Sequence, residues 1–235
     1  MRDWRKFDTI LLDMDGTILD LAYDNYFWLE LVPRCLARQR NASLIDIKTD
    51  LYAEFARVQG RLEWYCLDYW TDQLSLDLRA LKNASSHRVR YLPGAIAFLQ
   101  ALQATGKPVV VVTNAHAHTL EIKKAVAGLD RWIDSFISSH EFGAPKESQL
   151  FWASAQRRLG FDPATTLFID DSLPVLDAAA AWGLAGVLAV TRPDSLQPRT
   201  RPRGDRPPNR RRPRRCRRAT PNPRCRARDE ASPHP

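Results

Sequence analysis

Short apolar runs and longer helical patterns follow one another along the chain, and this order predicts a parallel α/β sheet. Short apolar runs that end abruptly in polar residues are typical of buried parallel strands. Five such runs are predicted strands, at residues 7–12, 108–113, 135–138, 165–169 and 185–190. Helical patterns lie between and after them, at residues 93–105, 118–127, 147–159 and 173–182. This alternation of strand and helix predicts a doubly wound sheet with helices on both faces.

One long interval breaks this alternation. Residues 18–91 contain helical patterns with many aromatic side chains and no convincing strand. An insertion of this length directly after the first strand is a helical subdomain rather than a loop. It would lie above the carboxyl ends of the strands, where open α/β sheets bind their ligands. We therefore predict a Rossmann-like core at residues 1–17 and 92–197, and a helical cap that acts as a lid at residues 18–91.

Residues 198–235 form a segment of different composition. They include 14 Arg, nine Pro and three acidic residues, and no Ile, Leu, Val, Phe, Tyr or Trp. A segment with so little apolar surface cannot offset the entropy lost on ordering, so we predict a disordered basic tail. Its net charge of +11 would suit RNA or another acidic surface. Alternatively, the tail has no function or comes from a shifted reading frame in GC-rich DNA.

The composition of the remaining residues narrows the class of protein. Residues 1–197 carry 21 basic and 24 acidic side chains, a net charge of −3, which removes the main argument for a folded nucleic-acid-binding domain. The four cysteines are too few for a disulfide scaffold. The longest apolar run has 13 residues, against roughly 20 for a membrane span, and no signal peptide is recognisable. We expect a cytoplasmic protein without membrane contact.

Two pairs of neighbouring carboxylates follow predicted strands. Asp13 and Asp15 come directly after the first strand, and Asp170 and Asp171 follow the fourth. Carboxylates gathered at strand ends repel one another, so they require a cation or shared protons. If the two strands are neighbours, the oxygen-rich site that results suits Mg2+. The alternatives are an ordinary Asp-Gly turn at residues 15–16 and a helix N-cap at residues 170–172.

Further polar residues complete a set that suits phosphoryl transfer. Thr113 and Asn114 end the second strand and offer a hydroxyl and an amide, and Lys146 offers a cation. The alternative for Lys146 is a solvated surface position. His116 and His118 lack an obvious third metal ligand, so we favour substrate contact or helix capping for them.

These residues, in this order, resemble the haloacid dehalogenase-like hydrolase superfamily. Its pattern is Asp-x-Asp-Gly-Thr, a strand-end Thr or Ser, a Lys and an acidic pair. Here the corresponding residues are 13–17, Thr113, Lys146 and 170–171. The resemblance covers residues 7 to about 195. The inserted segment looks like the helical type-one cap of that superfamily.

Several stretches are similar to the bacterial GMP/IMP nucleotidases within the superfamily. They read LLDMDGTILDLAYDNYFW, LEWYCLDYW, TNAHAH and TLFIDDS. The similarity implies hydrolysis of purine nucleoside 5′-monophosphates, and the chain departs from it at the carboxyl-terminal tail. One alternative is a phosphatase for a small metabolite such as phosphoglycolate. Another, from a different class, is a non-catalytic protein that binds RNA or a partner through the tail.

The resemblance implies a catalytic role for three residues. Asp13 would be the nucleophile that forms an aspartyl-phosphate, and Asp15 would protonate the leaving oxygen and later deprotonate water. An acid at position 15 favours phosphate ester hydrolysis, because dehalogenation expels a halide that needs no proton. Lys146 would offset charge on the phosphate oxygens.

The same resemblance implies which residues bind ligands. Mg2+ would be held by the side chain of Asp13, the main-chain carbonyl of Asp15 and Asp171, with Asp170 in support. Phosphate would be bound by Asp15, Gly16, Thr113, Asn114 and Lys146, partly through the amides of the turn at residues 15–16. Aromatic side chains of the cap would stack on the purine, and the candidates are Trp28, Trp64, Tyr65 and Tyr69. The alternative is that most of them fill the cores of the cap helices.

Overall fold

The computed structural model describes residues 6–197 and contains one five-stranded parallel sheet. Its strands are β1 (Thr9–Leu12), β2 (Val109–Thr113), β3 (Ser135–Ser138), β4 (Thr166–Asp170) and β5 (Gly186–Ala189). The spatial order is β3-β2-β1-β4-β5, so the order reverses around the central strand β1. The predicted α/β fold class is confirmed, and each predicted strand is present within one or two residues of its expected ends.

Ten α-helices complete the described part of the chain. They are α1 (Ala22–Tyr26), α2 (Val32–Arg40), α3 (Leu44–Val58), α4 (Leu62–Tyr65), α5 (Leu67–Leu74), α6 (Leu78–Ser85), α7 (Ala95–Gln103), α8 (Ala117–Ala127), α9 (Gln149–Leu159) and α10 (Leu173–Trp182). A π-helical turn, Phe27–Leu31, joins α1 to α2. The helix expected from residue 93 begins at Ala95 instead, because Gly94 adopts a left-handed conformation before it.

Helices cover both faces of the sheet, as the strand pattern predicts. Ile10, Leu12 and Val111 lie in one buried cluster, which includes side chains of α7 and α8. The intervening residues Leu11 and Val110 lie in a second cluster, with side chains of α9 and α10. Successive strand residues point to opposite faces, so a strand between two helical layers is apolar throughout.

The segment between β1 and α7 folds into helices α1–α6 around a separate apolar cluster. Phe27, Phe55 and Trp70 are among its buried members. The chain enters and leaves through two paired stretches, in which the amide of Asp20 donates to the carbonyl of Arg90 at 2.8 Å. The observed helices agree with the cap predicted at residues 18–91, and the division at residues 17 and 92 remains our interpretation.

The predicted disordered tail at residues 198–235 lies outside the described residues, as do residues 1–5. Within residues 6–197, no helix combines the length and apolar character that crossing a bilayer requires.

Candidate active site

Lys146 lies between two carboxylates that follow neighbouring strands. Leu12 of β1 pairs with Ile169 of β4, so Asp13 and Asp170 occupy adjacent strand ends. Nζ of Lys146 lies 2.5 Å from Oδ1 of Asp13 and 2.6 Å from Oδ2 of Asp170. The Lys146 side chain is 2% exposed, which rules out the surface position considered as its alternative. One carboxylate of each predicted pair, Asp13 and Asp170, therefore lies against the same lysine.

Asp171 adds a third carboxylate to this group. Asp13, Asp170 and Asp171 each place one oxygen within 4.8 Å of the others. Burial, together with the nearby charges of Asp13 and Asp170, raises the pKa of Asp171 to about 8 against the opposing effect of Lys146. Burial likewise raises the pKa of Asp13 to about 7. One ammonium group thus compensates three carboxylates incompletely, and a divalent cation with oxygen ligands fits this donor set.

Gly16 shapes the turn beside these carboxylates. Its φ of +84° is favourable only for glycine, and a Cβ here would lie 2.7 Å from Cγ of Asp171. The absence of a side chain therefore allows Asp171 to approach the turn. The amide of Gly16 already donates to the carbonyl of Leu19 at 2.7 Å. Phosphate binding by the amides of the turn at residues 15–16 stays a prediction.

Asp15 points away from the three carboxylates and towards a buried lysine. Nζ of Lys123 lies 2.6 Å from Oδ1 of Asp15 and 2.6 Å from Oδ2 of Asp24, and Asp24 also pairs with Lys82 at 2.7 Å. We call Asp15, Lys123, Asp24 and Lys82 the charge row. A metal role for Asp15 would thus involve its main-chain carbonyl, because its carboxylate is outside the three-carboxylate group.

The charge row sets the ionisation of its two acids differently. Burial raises the pKa of Asp15 to about 6, against the lowering effect of Lys123 and with further raising by Asp24 and Asp13. Burial also opposes ionisation of Asp24, but Lys123 and Lys82 together lower its pKa to about 2. Asp15 is therefore the carboxyl group of the row that can carry a proton near neutral pH.

Asn114 organises the loop that carries Lys146. Its Oδ1 accepts a hydrogen bond from the Lys146 amide at 2.9 Å, and its Nδ2 donates to Glu147 at 3.1 Å. Thr113, fully buried at the end of β2, accepts from the Ala115 amide at 3.0 Å. Both residues border the same cavity as Asp13. Phosphate binding by Thr113 and Asn114 remains a prediction, and the structure gives Asn114 a positioning role that the sequence did not reveal.

The two histidines of the motif have structural partners. His116 is the N-cap of α8, where its Nδ1 accepts from the His118 amide at 3.3 Å. Its Nε2 also lies 3.4 Å from Asp68 on α5. His118 lies 3.3 Å from the Asn83 amide nitrogen on α6. Helix capping, one of the two roles favoured for this pair, is therefore the observed role of His116.

A cavity of about 460 Å³ joins the site to the inserted helices. One side, which we call the carboxylate floor, consists of Asp13, Lys146, Asp170 and Asp171. Another part of the lining, which we call the aromatic wall, consists of Trp28, Phe55, Trp64 and Trp70. Three of the predicted stacking candidates border the cavity, whereas Tyr69 packs behind it against Trp70 at 5.1 Å between ring centroids.

Tyr65 connects the inserted helices to the loop after Lys146. Its hydroxyl donates to Oε1 of Glu147 at 2.6 Å, and burial together with Glu147 raises its pKa, so the hydroxyl stays protonated. Neither this contact nor the charge row is visible as a sequence motif. The sequence does contain one signal for the charge row, which is the position of Lys123. It lies on the inward face of α8 next to Leu120, where a helical pattern calls for an apolar residue.

Comparison with known proteins places this site in a family. The family model of haloacid dehalogenase-like hydrolases matches residues 7–183. The chain belongs to this family. The predicted superfamily is thereby confirmed, and with it the prediction that the chain is an enzyme. A non-catalytic protein is not supported, whereas RNA binding by the tail stays a prediction.

Curated relatives align in sequence with most of this chain. The GMP/IMP nucleotidase YrfG of Escherichia coli K12 is 45% identical over 192 residues, which cover 82% of this chain and 86% of the relative. The protein of the same name from Shigella flexneri has the same identity and coverage. The bifunctional riboflavin kinase/FMN phosphatase of Arabidopsis thaliana is 28% identical over 77% of this chain and 48% of its own length. The predicted resemblance to the nucleotidases is confirmed.

Solved structures share the fold at low sequence identity. A HAD phosphatase from Thermococcus onnurineus has a TM-score of 0.71 at 22% identity, covering 83% of this chain and 91% of its own. The L-2-haloacid dehalogenase from Xanthobacter autotrophicus has a TM-score of 0.55 at 20% identity, covering 79% and 78%. One fold thus serves two chemistries, so the reaction has to be inferred from the site residues.

Proposed function

We propose that this chain is a Mg2+-dependent phosphatase that hydrolyses purine nucleoside 5′-monophosphates such as GMP and IMP. The observation that carries the proposal is that the carboxylate floor and the aromatic wall line the same cavity. The floor suits a phosphate ester, and the wall suits a planar base. The 45% identity to a GMP/IMP nucleotidase over most of both chains supports the same substrate class.

Asp13 is the proposed nucleophile. It lies directly after the central strand, and its carboxylate is held by Lys146 at 2.5 Å. A carboxylate oxygen attacks phosphorus and forms an O–P bond while the bond from phosphorus to the ribose 5′-oxygen breaks. Water then attacks the phosphorus of the aspartyl-phosphate, and inorganic phosphate leaves as Asp13 is regenerated.

Asp15 is the proposed acid and base. In the first step its carboxyl proton goes to the departing 5′-oxygen, and in the second step its carboxylate takes a proton from the attacking water. Its pKa of about 6, raised mainly by burial, suits a group that alternates between the two forms. This acid also distinguishes the proposed reaction from the expulsion of a halide.

The carboxylate floor would hold the metal ion. Asp13, Asp170, Asp171 and the main-chain carbonyl of Asp15 are its proposed ligands. When bound, Mg2+ supplies positive charge that stabilises the phosphate oxygens in the transition state. Lys146 contributes its charge to the same oxygens, and Thr113 and Asn114 border the position that the phosphate would occupy.

The aromatic wall would bind the base. Trp28 and Trp64 are half-buried, border the cavity and pack edge to face on Phe55, with ring centroids 5.9 and 5.1 Å apart. Stacking of a base on such a side chain is worth about 1–3 kcal/mol. A cavity of about 460 Å³ lies within the usual range for small-molecule sites, about 300–1,000 Å³.

Phosphate release from four substrates tests the proposal. GMP, IMP, AMP and phosphoglycolate are compared with Mg2+ present, and again after treatment with a chelator. We expect much faster release from GMP and IMP than from phosphoglycolate, loss of all activity with chelator, and recovery when Mg2+ is added back. Equal turnover of all four substrates would contradict the nucleotidase assignment but leave the phosphatase. Full activity in chelator would contradict the metal requirement.

A further inference from the structure

The charge row extends from the cavity into the inserted helices. Lys123, at its centre, is 1% exposed and contacts Asp15 on one side and Asp24 on the other, each at 2.6 Å. Lys82 is 2% exposed and closes the row against Asp24. The two buried lysines and the two half-buried carboxylates alternate in sign and compensate one another, whereas removal of a single member leaves an uncompensated charge.

The row connects distant parts of the chain. Lys123 is on α8, which packs on the sheet, whereas Asp24 and Lys82 are on α1 and α6 of the inserted segment. Asp24 and Lys123 are separated by 99 positions in the sequence. The position of the Asp15 carboxyl group therefore depends on where α1 lies relative to α8.

Lys123 holds the two acids in different ways. It donates a well-formed hydrogen bond to Oδ2 of Asp24. Its contact with Oδ1 of Asp15 is equally short but is an ion pair without hydrogen-bond alignment, and that oxygen accepts no other hydrogen bond. Oδ1 of Asp15 is thus held and buried beside Lys123, and Asp15 itself borders the cavity.

The far end of the row is fixed by packing. Nζ of Lys82 lies 4.6 Å from the ring centroid of Tyr23 and 4.2 Å from that of Phe27. The hydroxyl of Tyr23 donates to the main-chain carbonyl of Lys82 at 3.2 Å. Aromatic faces attract a cation, so they restrict where the Lys82 ammonium group can lie. Asp24 is therefore anchored from the side of the inserted helices.

We propose that Lys123 and Asp24 are positioning residues that place the carboxyl group of Asp15 for proton transfer to the leaving oxygen. The proposal rests on the phosphatase function proposed above. Lys123 acts through Asp15, and Asp24 acts through Lys123. Docking of the inserted helices onto the core thereby completes the alignment of the acid. Misplacement of a catalytic group by about 1 Å costs roughly 10²-fold in rate.

Two substrates separate this positioning role from a merely structural one. The ribose 5′-oxygen of GMP needs a proton to leave, whereas p-nitrophenolate leaves without one. In Lys123→Met with Mg2+ present, we expect the first turnover of GMP to slow about 10²-fold. The first-turnover burst of p-nitrophenolate from p-nitrophenyl phosphate should stay near that of the unaltered enzyme. Asp15→Asn should show the same difference between the two substrates.

Matched variants of α8 provide the controls. Lys124→Met removes the same charge at the adjacent position, where the side chain pairs with Glu121 at 3.3 Å and Asp130 at 3.6 Å instead. It should leave both first-turnover rates unchanged. Lys123→Arg keeps the charge next to Asp15 and should recover most of the GMP rate that Lys123→Met loses.

The outcomes distinguish the possibilities. Equal slowing of both substrates in Lys123→Met, or no recovery in Lys123→Arg, would overturn the positioning role. If Lys123→Met does not fold, as judged by circular dichroism, Asp24→Asn carries the same two-substrate test, because it removes the charge that holds Lys123 and keeps the side-chain shape. Full activity of Asp13→Asn would instead refute the phosphatase mechanism itself.

Discussion

Two sides of one cavity, the carboxylate floor and the aromatic wall, are held in place by different forces. On the floor, Lys146 fixes Asp13 and Asp170 by contacts of 2.5 and 2.6 Å. In the wall, Trp64 and Phe55 pack edge to face at 5.1 Å between ring centroids. Removal of one partner from a buried charge pair is strongly destabilising, whereas apolar packing accepts residues of similar volume. The floor is therefore suited to fixed chemistry and the wall to a choice of substrate.

The two sides also come from different kinds of structure. Asp13 and Asp170 are at the ends of neighbouring strands, where the sheet sets their separation. The aromatic wall comes from helical residues of the insertion. A substitution on the floor should therefore affect every phosphate ester alike, whereas a substitution in the wall should affect substrates that carry a base. Four predictions test this distinction.

The largest effect is expected for Asp13→Asn. An amide cannot form the acyl phosphate, so turnover of GMP and of phosphoglycolate should fall by about 10⁴-fold or more. Asp8→Asn is the matched control, because Asp8 is exposed just before β1. Phosphate release and trapping of phosphoenzyme measure the result. If GMP turnover were lost while phosphoglycolate turnover was retained, Asp13 would contribute to recognition of the base rather than to the chemistry.

A large stability effect is expected for Lys146→Met. The substitution leaves Asp13 and Asp170 buried next to each other without their cation, which costs about 3–5 kcal/mol of unfolding free energy. Lys48→Met is the control, because its pair with Glu30 is partly exposed and worth at most about 1 kcal/mol. Thermal and urea unfolding without metal compare the two. Similar losses for both variants would show that the floor is not held by charge.

Much of the floor could be predicted from the sequence. Parallel strands with apolar runs place their following residues at one edge of the sheet, so Asp13, Thr113 and Asp170 were expected close together. Their convergence with Lys146 follows the ordered pattern of a known family. Within that pattern, the sequence did not indicate that the Gly16 amide is engaged by Leu19, because this depends on the path of the turn after residue 17.

Most contacts between the insertion and the core could not be predicted. The pairing of Asp24 with Lys123 depends on how helices far apart in the sequence pack together, and no local pattern encodes it. The same holds for Tyr65, whose aromatic ring suggested stacking, whereas its hydroxyl contacts Glu147. An aromatic residue on an amphipathic helix has the same sequence signature whether it lines a cavity or packs behind it, as Tyr69 does.

A base-specific effect is expected for Trp64→Ala. Loss of the indole should raise the activation free energy that corresponds to kcat/KM by about 1–3 kcal/mol for GMP and IMP. The value of kcat/KM for phosphoglycolate should stay nearly unchanged. The ratio of kcat/KM values for GMP and phosphoglycolate is the measurement, because partial unfolding lowers both in proportion. Tyr69→Ala removes an aromatic ring that does not border the cavity and should leave the ratio unchanged. An unchanged ratio in Trp64→Ala would remove the wall from base recognition.

The smallest effect is expected for Tyr65→Phe, which separates contact between the two sides from recognition of the base. The substitution keeps the ring and deletes the hydroxyl that donates to Glu147 at 2.6 Å. Because Asn114 still donates to Glu147, we expect a loss of about 1 kcal/mol in kcat/KM, roughly fivefold. Since the hydrogen bond joins the insertion to the loop of Lys146, kcat/KM should fall by the same factor for GMP and for phosphoglycolate.

Tyr52→Phe is the control for Tyr65→Phe, because its hydroxyl donates to Leu29 within the insertion at 3.3 Å. Tyr52→Phe should leave kcat/KM unchanged for both substrates. A loss confined to GMP in Tyr65→Phe would assign Tyr65 to the aromatic wall, as the sequence suggested. An equal loss of kcat/KM for both substrates would mean that catalysis requires this contact between the insertion and the Lys146 loop, whether or not the substrate carries a base. Steady-state kinetics on the two substrates therefore decide to which side of the cavity Tyr65 belongs.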